Sequence, residues 1–253
     1  MHYKWTIFKH SKKQLHMSQE QTNSSSRWTN RDLIIPYAAP YFAYVGLASF
    51  FHNKIPVEFN YGLKLIIVSG LLVWGWRWYV PITGPKGRAG SWVLGTVAGV
   101  VGLVLWIALY APFAGTGQDA WSFSGFVLRL VTASLIVPVF EELMMRGFVF
   151  RLAFQWDERR RQNTQTPFLD ALDESNIGDV RPGQWSIWAV VISTLVFTVG
   201  HTVPEWPAAV AYGILMAGLW IIRKDLLSCM VAHGVTNMGL ALYVYYTGNW
   251  QLW

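Results

Sequence analysis

Residues 122–154 read SFSGFVLRLVTASLIVPVFEELMMRGFVFRLAF. This apolar stretch is longer than the ~20 residues with which a helix crosses a bilayer core of ~30 Å. It nevertheless carries Glu141, Glu142 and Arg146. Ionisable side chains cost free energy in hydrocarbon, so those within an apolar segment generally mark a functional site. The stretch therefore predicts a membrane helix with a functional polar centre.

The composition of the whole chain agrees with a membrane protein. Of the 253 residues, 53% are apolar and 13% are charged, whereas about 25% of residues are charged in ordinary soluble domains. Aromatic residues make up 16% of the chain, and membrane proteins place such side chains at the membrane–water interfaces. These values exclude a typical soluble globular protein. The one cysteine, Cys229, excludes an intramolecular disulfide.

Seven apolar segments of about membrane length follow a polar N-terminal region. They lie at residues 33–51, 61–80, 92–113, 122–154, 185–203, 206–222 and 226–247. The sequence therefore predicts an all-α fold, a polytopic transmembrane bundle of about seven or eight membrane helices. Residues 33–253 are expected to form a single transmembrane domain, with a polar, basic tail at 1–32 and one polar loop at 155–184. Because the first apolar run begins only at Leu33, no cleaved leader is expected.

The lysines and arginines predict the orientation of the chain in the membrane. They fall in groups of six in the tail, three after the second segment, six around the long loop and two after the sixth segment, so 17 of the 20 lie on one side of a seven-span arrangement. Lys54 and Lys64 lie on the other side, and Arg129 lies within the fourth segment. This asymmetry predicts a cytoplasmic N-terminus. It also accounts for the net charge of +6, so no nucleic acid is expected as a partner.

Three further polar residues fall within the predicted membrane helices. His201 ends the fifth segment, and the seventh segment carries His233 and Asn237. Because His233 and Asn237 are four residues apart, they share one face of a helix. At a rise of ~1.5 Å per residue, all three lie at depths similar to that of Glu141. These three residues and Glu141 are therefore expected to form one buried polar site.

The two adjacent glutamates are expected to differ in role. Neighbouring residues of an α-helix point ~100° apart, so Glu141 and Glu142 do not face the same site. Glu142 and Arg146 have the i, i+4 spacing of a helical ion pair. Such a pair neutralises Glu142 and leaves Glu141 as the better candidate for a general base.

Two hydrolytic mechanisms fit these residues, and the sequence leaves both open. In one, Glu141 takes a proton from water while histidine and asparagine donors stabilise the oxyanion of an attacked carbonyl group. In the other, Glu141, His201 and His233 bind a metal ion, with zinc the cofactor expected from such ligands. A cysteine nucleophile at Cys229, four residues before His233, is less well supported because it leaves the glutamates and Arg146 without a role.

A non-catalytic function is the alternative from a different class. Polar residues in membrane helices often form hydrogen bonds between helices. The same set would therefore suit a membrane interaction protein or an immunity-type protein. A transporter is less well supported, because the sequence shows no internal repeat.

Three short motifs at these positions resemble those of the CPBP family of intramembrane proteases, which includes CAAX-prenyl endopeptidases and bacteriocin-processing or immunity proteins. The EExxxR motif corresponds to residues 141–146, FxxxH to residues 197–201 and HxxxN to residues 233–237. Each motif is short, but all three occur in order and each lies in an apolar segment. The resemblance covers about residues 122–247, which is the expected catalytic portion.

The resemblance implies a helical membrane endopeptidase that cleaves a membrane-associated protein or peptide, with Glu141 activating water. The residues that complete the implied site are Glu142, Arg146, His201, His233 and Asn237. The family is often called metallo-, although a metal-free glutamate mechanism is also argued for it. The aromatic C-terminal end, residues 247–253, resembles a bacterial subgroup found with exosortase-type systems. This implies the bacterial cytoplasmic membrane, with the bilayer and a protein-sorting system as partners.

Overall fold

The computed structural model describes residues 28–51, 54–117 and 119–253. Within these ranges every regular element is a helix and no strand is present. The prediction of an all-α fold is therefore confirmed. Positions 1–27 of the predicted tail at residues 1–32 lie outside the described residues. Residues 30–32 belong to the first turn of a helix.

The helices are numbered here in chain order. The α-helices are α1 (Asn30–Phe50), α2 (Val57–Gly75), α3 (Arg88–Tyr110), α4 (Phe123–Val131), α5 (Val137–Glu142), α6 (Phe150–Arg161), α7 (Pro167–Asp173), α8 (Ile187–Val199), α9 (Trp206–Arg223) and α10 (Leu226–Thr247). Short 3₁₀ turns lie at Trp76–Trp78, Ile177–Asp179, Val203–Glu205 and Trp250–Leu252. Two π-helices, Thr132–Ile136 and Leu143–Val149, join α4, α5 and α6 into one helical stretch of 39 residues.

Six helical stretches in the described part of the chain are long and apolar enough to cross a membrane. They correspond to six of the seven predicted segments, as expected for an integral membrane protein. The remaining segment, 185–203, contains only the 13-residue helix α8. At ~1.5 Å per residue, α8 is about 20 Å long and falls short of a hydrocarbon core of ~30 Å.

The region predicted as a polar loop at residues 155–184 is largely helical. Helix α6 continues to Arg161, and α7 forms beyond it. Asn30 joins this region to α1, because its Nδ2 atom donates to Gln155 Oε1 and to the Ala171 carbonyl oxygen, both at 2.7 Å. Hydrophobic periodicity did not reveal α7, since a seven-residue helix is shorter than the window over which the period is recognised.

Helices α3 and α10 pack closely because α3 presents small residues to its neighbour. Gly95 and Gly99 have the small-xxx-small spacing that is typical of tight packing between membrane helices. A Cβ atom at Gly99 would lie 2.6 Å from the backbone oxygen of Ala232. Thr236 adds a hydrogen bond, because its Oγ1 donates to the Gly99 carbonyl oxygen at 2.8 Å. This contact positions α10, the helix that carries the HxxxN motif.

Contacts between the helix ends define two ends of the bundle. At the loop end, where α1, α3 and α10 begin, Ser91 Oγ donates to Asp225 Oδ2 at 2.9 Å. At the far end, where α2 and α4 begin, Ser124 Oγ donates to Glu58 Oε1 at 3.1 Å. Tyr110 also lies at the far end, where its hydroxyl group donates to the carbonyl oxygen of Gln251 in the 3₁₀ turn after α10 at 3.1 Å.

Basic residues are concentrated at the loop end of the described chain. Those at or near it are Arg31, Arg77, Lys86, Arg88, Arg159, Arg160, Arg161, Arg181, Arg223 and Lys224. Two arginines that the sequence assigned to this group, Arg146 and Arg151, are instead buried between helices. They bind groups inside the protein, so they contribute less to the charge asymmetry than the sequence predicted.

Candidate active site

A cavity of about 460 Å³ lies toward the far end of the bundle. Its lining includes four of the six predicted site residues, namely Glu141, His201, His233 and Asn237. They come from α5, from the turn that follows α8 and from α10. The fold therefore brings together side chains that lie far apart in the sequence, as their similar depths predicted.

The two adjacent glutamates have different surroundings. The Glu141 side chain lines the cavity and is 13% exposed, whereas Glu142 is fully buried. Glu142 Oε1 accepts a hydrogen bond from Arg146 Nη1 at 3.2 Å. Arg146 Nη2 donates in turn to the Gly213 carbonyl oxygen of α9 at 3.1 Å. The expected Glu142–Arg146 ion pair is therefore present behind the cavity, where it is also bound to α9.

His233 lies between the two glutamates. Its Nδ1 atom is 3.1 Å from Glu142 Oε1, and its Nε2 atom is 3.8 Å from Glu141 Oε2. Because Glu142 is paired with Arg146 and is therefore an acceptor, Nδ1 is the donating nitrogen of His233. This leaves Nε2 directed to Glu141. A carboxylate that fixes the tautomer and orientation of a histidine recurs in hydrolytic sites.

The contact between His233 and Glu142 was not anticipated from the sequence. The i, i+4 rule paired Glu142 with Arg146, since both lie on one helix. The contact with His233 instead crosses to α10, and no spacing within a single helix predicts such a neighbour.

Backbone carbonyl groups orient the other two cavity residues. His201 Nδ1 donates to the Phe197 carbonyl oxygen at 2.9 Å, which leaves Nε2 as its second nitrogen. Asn237 Nδ2 donates to the Ala133 carbonyl oxygen at 2.8 Å. An amide nitrogen carries two hydrogens, so Asn237 retains one for a ligand in the cavity.

The two π-helices flank the glutamates, and π-helical segments within α-helices frequently occur at functional sites. Pro138 lies in the first turn of α5, where its missing N–H group interrupts the α-helical hydrogen-bond pattern. Helix α10 approaches the first π-helix closely, because a Cβ atom at Gly234 would lie 2.7 Å from the backbone oxygen of Ser134. The sequence predicted an uninterrupted helix here, since hydrophobicity does not report this change of pitch.

Aromatic rings form the walls of the cavity. The Phe197 ring centroid is 4.5 Å from that of His201, so the phenylalanine of the FxxxH motif packs on its histidine. Trp106 lies 5.3 Å from His201, and Tyr212 lies 5.6 Å from His233, measured between ring centroids. Trp106 and Tyr212 were not singled out from the sequence, because aromatic residues are abundant throughout the chain and only the fold shows which of them meet the histidines.

The geometry does not support the predicted zinc site. Within the described ranges, no group of three or more His, Cys, Asp or Glu side chains is arranged to hold a metal ion. The expected ligands Glu141, His201 and His233 do not form such a group, although both histidines use only Nδ1 within the protein and keep Nε2 available. The residues present therefore do not fit a bound zinc ion.

The cysteine alternative is also unsupported. Cys229 is fully buried, and its Sγ atom contacts the Met216 carbonyl oxygen at 3.8 Å. It does not belong to the lining of the cavity. A substrate in the cavity would therefore not meet this thiol group.

Comparison with known proteins points to one family. Residues 123–239 match the family model described as Rce1-like, type II CAAX prenyl endopeptidase Rce1-like. No curated protein and no solved structure matches the chain. The matched residues contain all three motifs and all six predicted site residues. The resemblance to the CPBP family of intramembrane proteases is confirmed by this match over residues 123–239.

Proposed function

We propose that the protein is an intramembrane endopeptidase that hydrolyses a peptide bond of a membrane-associated protein or peptide. The observation that carries this proposal is the presence of Glu141, His201, His233 and Asn237 on one cavity. The match to type II CAAX prenyl endopeptidases supports protease activity of the CAAX type. The lining combines a carboxylate, two imidazole groups and an amide, which can supply a general base and oxyanion donors for hydrolysis of an amide bond.

In the proposed mechanism, Glu141 is the general base. Its carboxylate takes a proton from a water molecule as the water oxygen bonds to the carbonyl carbon of the substrate. The Asn237 amide group donates to the oxyanion that forms, since only one of its two hydrogens is used within the described part of the chain, by the Ala133 carbonyl oxygen. Glu141 then returns the proton to the departing nitrogen as the C–N bond breaks.

The histidines and the buried ion pair hold this arrangement. His233 Nε2 lies 3.8 Å from Glu141 Oε2, so the imidazole ring lies directly beside the catalytic carboxyl group. Glu142 and Arg146 are positioning residues, because they orient His233 from behind the cavity. His201 presents Nε2 to the substrate. We propose the glutamate-dependent mechanism over the zinc-dependent one because the expected ligands do not form a metal site.

We also propose the orientation that the basic residues predict. The loop end carries most of the exposed lysines and arginines and would face the cytoplasm, here of a bacterial inner membrane. Helix α1 begins at this end, so the N-terminus would be cytoplasmic. The cavity would then face the opposite side of the membrane. The resemblance of residues 247–253 to a subgroup found with exosortase-type systems supports a protein-sorting system as partner.

Comparative proteomics of membranes tests the proposal. Cells that carry Glu141→Gln are compared with wild-type cells and with cells that carry Glu158→Gln, an exposed glutamate on α6. We expect unprocessed membrane-associated proteins to accumulate only in the Glu141→Gln cells. Equal processing in all three strains, with the variants present at equal levels, would contradict proteolysis and favour the non-catalytic immunity-type function.

A further inference from the structure

Two cationic side chains in the cavity have no anionic partner among the residues that the structure describes. Lys64 of α2 and Arg129 of α4 both line the cavity that contains Glu141. Neither forms a salt bridge or a hydrogen bond with any residue in the part of the chain that the structure describes. Lys64 is only 4% exposed. A buried charge without a counter-ion costs free energy, so an unpaired lysine here requires an explanation.

Aromatic rings are the neighbours of these cations. Lys64 Nζ lies 4.7 Å from the ring centroid of Tyr44 and 4.3 Å from that of Tyr61. Arg129 Cζ lies 4.6 Å from the ring centroid of Trp121 and 4.4 Å from that of Trp253. Cation–π contacts stabilise a charge but leave its hydrogen-bond donors unused. The donors of both cations therefore remain for a ligand.

Two carboxylates of the same end, those of Glu58 and Glu205, are bound by other groups. Glu58 accepts hydrogen bonds from Ser122 and Ser124. Glu205 Oε2 accepts hydrogen bonds from the backbone nitrogen of Thr202 at 2.8 Å and from its hydroxyl group at 2.7 Å. Neither carboxylate neutralises Lys64 or Arg129, so the cavity keeps two positive charges beside its catalytic candidates.

We propose that Lys64 and Arg129 form a carboxylate-binding subsite for the peptide substrate. This inference rests on the proposed proteolytic function and adds the chemical class of a group that the substrate must carry. A carboxylate would accept charge-assisted hydrogen bonds from both cations, which are about twice as strong as neutral ones. The carboxylate belongs to the C-terminus of the peptide or to an acidic side chain. Bound there, it anchors the peptide while the scissile bond lies at Glu141.

Peptide binding to the purified full chain in detergent micelles tests the subsite. All proteins in the assay also carry Glu141→Gln, so that bound peptides are not cut. The probes are apolar pentapeptides of alanine, valine, leucine and phenylalanine, each prepared as a free acid and as a C-terminal amide. A third set consists of the same amides with one internal glutamate. Retention of each peptide at pH 7 is measured by mass spectrometry.

We expect the free acids to bind about tenfold or more tightly than the amides, since hydrogen bonds to a charged group are stronger than those to a neutral one. Lys64→Met and Arg129→Met should each reduce this ratio, and the double variant should bring it near one. Arg129 is partly exposed, so Arg129→Met keeps the test valid if Lys64→Met does not fold. Tight binding of the glutamate-containing amides would identify an acidic side chain as the source of the carboxylate.

Matched controls use cations that make the same kind of contact outside the cavity. Lys54 Nζ lies 4.6 Å from the Phe50 ring, and Arg77 Cζ lies 3.9 Å from the Trp78 ring. Neither Lys54 nor Arg77 lines the cavity. Lys54→Met and Arg77→Met should leave the preference for a carboxylate unchanged.

Two outcomes would overturn the subsite. One is that neither the free acids nor the glutamate-containing amides bind more tightly than the plain amides to the parent protein, or that such a preference survives both cavity substitutions. The other is loss of bound phospholipid, measured as phosphate per chain, from the Lys64→Met and Arg129→Met proteins with no change in peptide preference. That result would assign the cations to a lipid phosphate group. Because binding is measured without cleavage, failure of the subsite is distinguished from failure of the proposed protease activity.

Discussion

The Nδ1 atom of His233 lies 3.1 Å from Glu142 Oε1, and the same oxygen lies 3.2 Å from Nη1 of Arg146. All three side chains are buried. The Glu142 carboxylate thus links the 39-residue helical stretch of α4 to α6 with α10, while the neighbouring Glu141 lines the cavity. Hydrogen-bonded charges in a low-dielectric interior are strongly coupled, so removal of one member leaves the remaining buried groups incompletely paired.

The adjacent glutamates should respond differently to the same substitution. Glu141→Gln should lower turnover by about 10²-fold or more, the lower part of the range for general acid–base catalysis, with little change in the melting temperature. Glu142→Gln should instead lower the melting temperature, because it removes the charge that pairs with Arg146. Thermal unfolding of both variants measures the difference in stability. Turnover of a substrate that the proteomic comparison identifies measures the difference in activity. Equal losses of stability in the two variants would contradict this division of roles.

The buried ion pair of Glu142 and Arg146 should contribute more to stability than an exposed ion pair does. Arg146→Met leaves Glu142 buried without its cation, which should lower the free energy of unfolding by about 3–5 kcal/mol. The control Arg159→Met, at an arginine whose side chain is 30% exposed and paired with Glu174, should cost at most about 1 kcal/mol. Denaturation in micelles measures both values. A loss as small as that of Arg159→Met would show that the pair is not required for folding.

Close approach of α10 to the first π-helix should make one glycine intolerant of a side chain. Gly234→Ala would bring a Cβ atom to 2.7 Å from the Ser134 backbone oxygen. We expect a destabilisation of about 1–3 kcal/mol and a loss of activity, since α10 also carries His233. Gly218 of α9 has no atom within 4 Å of the corresponding position. Gly218→Ala should therefore be neutral or slightly stabilising, and a similar loss in both variants would refute the packing argument.

Metal removal should leave the protease active. The expected ligands Glu141, His201 and His233 do not form a metal-holding group among the described residues. Purified protein treated with a chelator should therefore keep its turnover, and elemental analysis should find far less than one metal ion per chain. Loss of activity on chelation with recovery on addition of zinc would restore the metal-dependent mechanism.

The proposed orientation can be measured with introduced cysteines, because the native Cys229 is fully buried and should not react with a thiol reagent in the folded protein. Phe113→Cys lies at the far end of the bundle, and Arg181→Cys lies at the loop end, both at exposed positions. In intact cells a membrane-impermeant maleimide should label the first and not the second. The reverse pattern would place the cavity toward the cytoplasm.

Features that depend on one helix could be predicted from the sequence. The spacing of Glu142 and Arg146 gave the expected ion pair, and the spacing of His233 and Asn237 placed both side chains on one face of α10. Apolar segments located the long helices because hydrophobic length follows the thickness of a bilayer. The apolar segment at residues 185–203 was less informative, because its length fits a membrane helix although it contains only the 13-residue helix α8.

The sequence by itself thus determined a helical membrane protein, its three motifs and the residues that belong to its polar centre, because periodicity and the cost of burying charge act within a single segment. Tertiary structure decided which helices are neighbours. The contact of Gly99 with α10 sets the position of His233 against Glu142. The fold also places Lys64 and Arg129 on the cavity, where neither forms a salt bridge with a described residue. Such contacts depend on packing between distant segments, and no spacing along the chain encodes them.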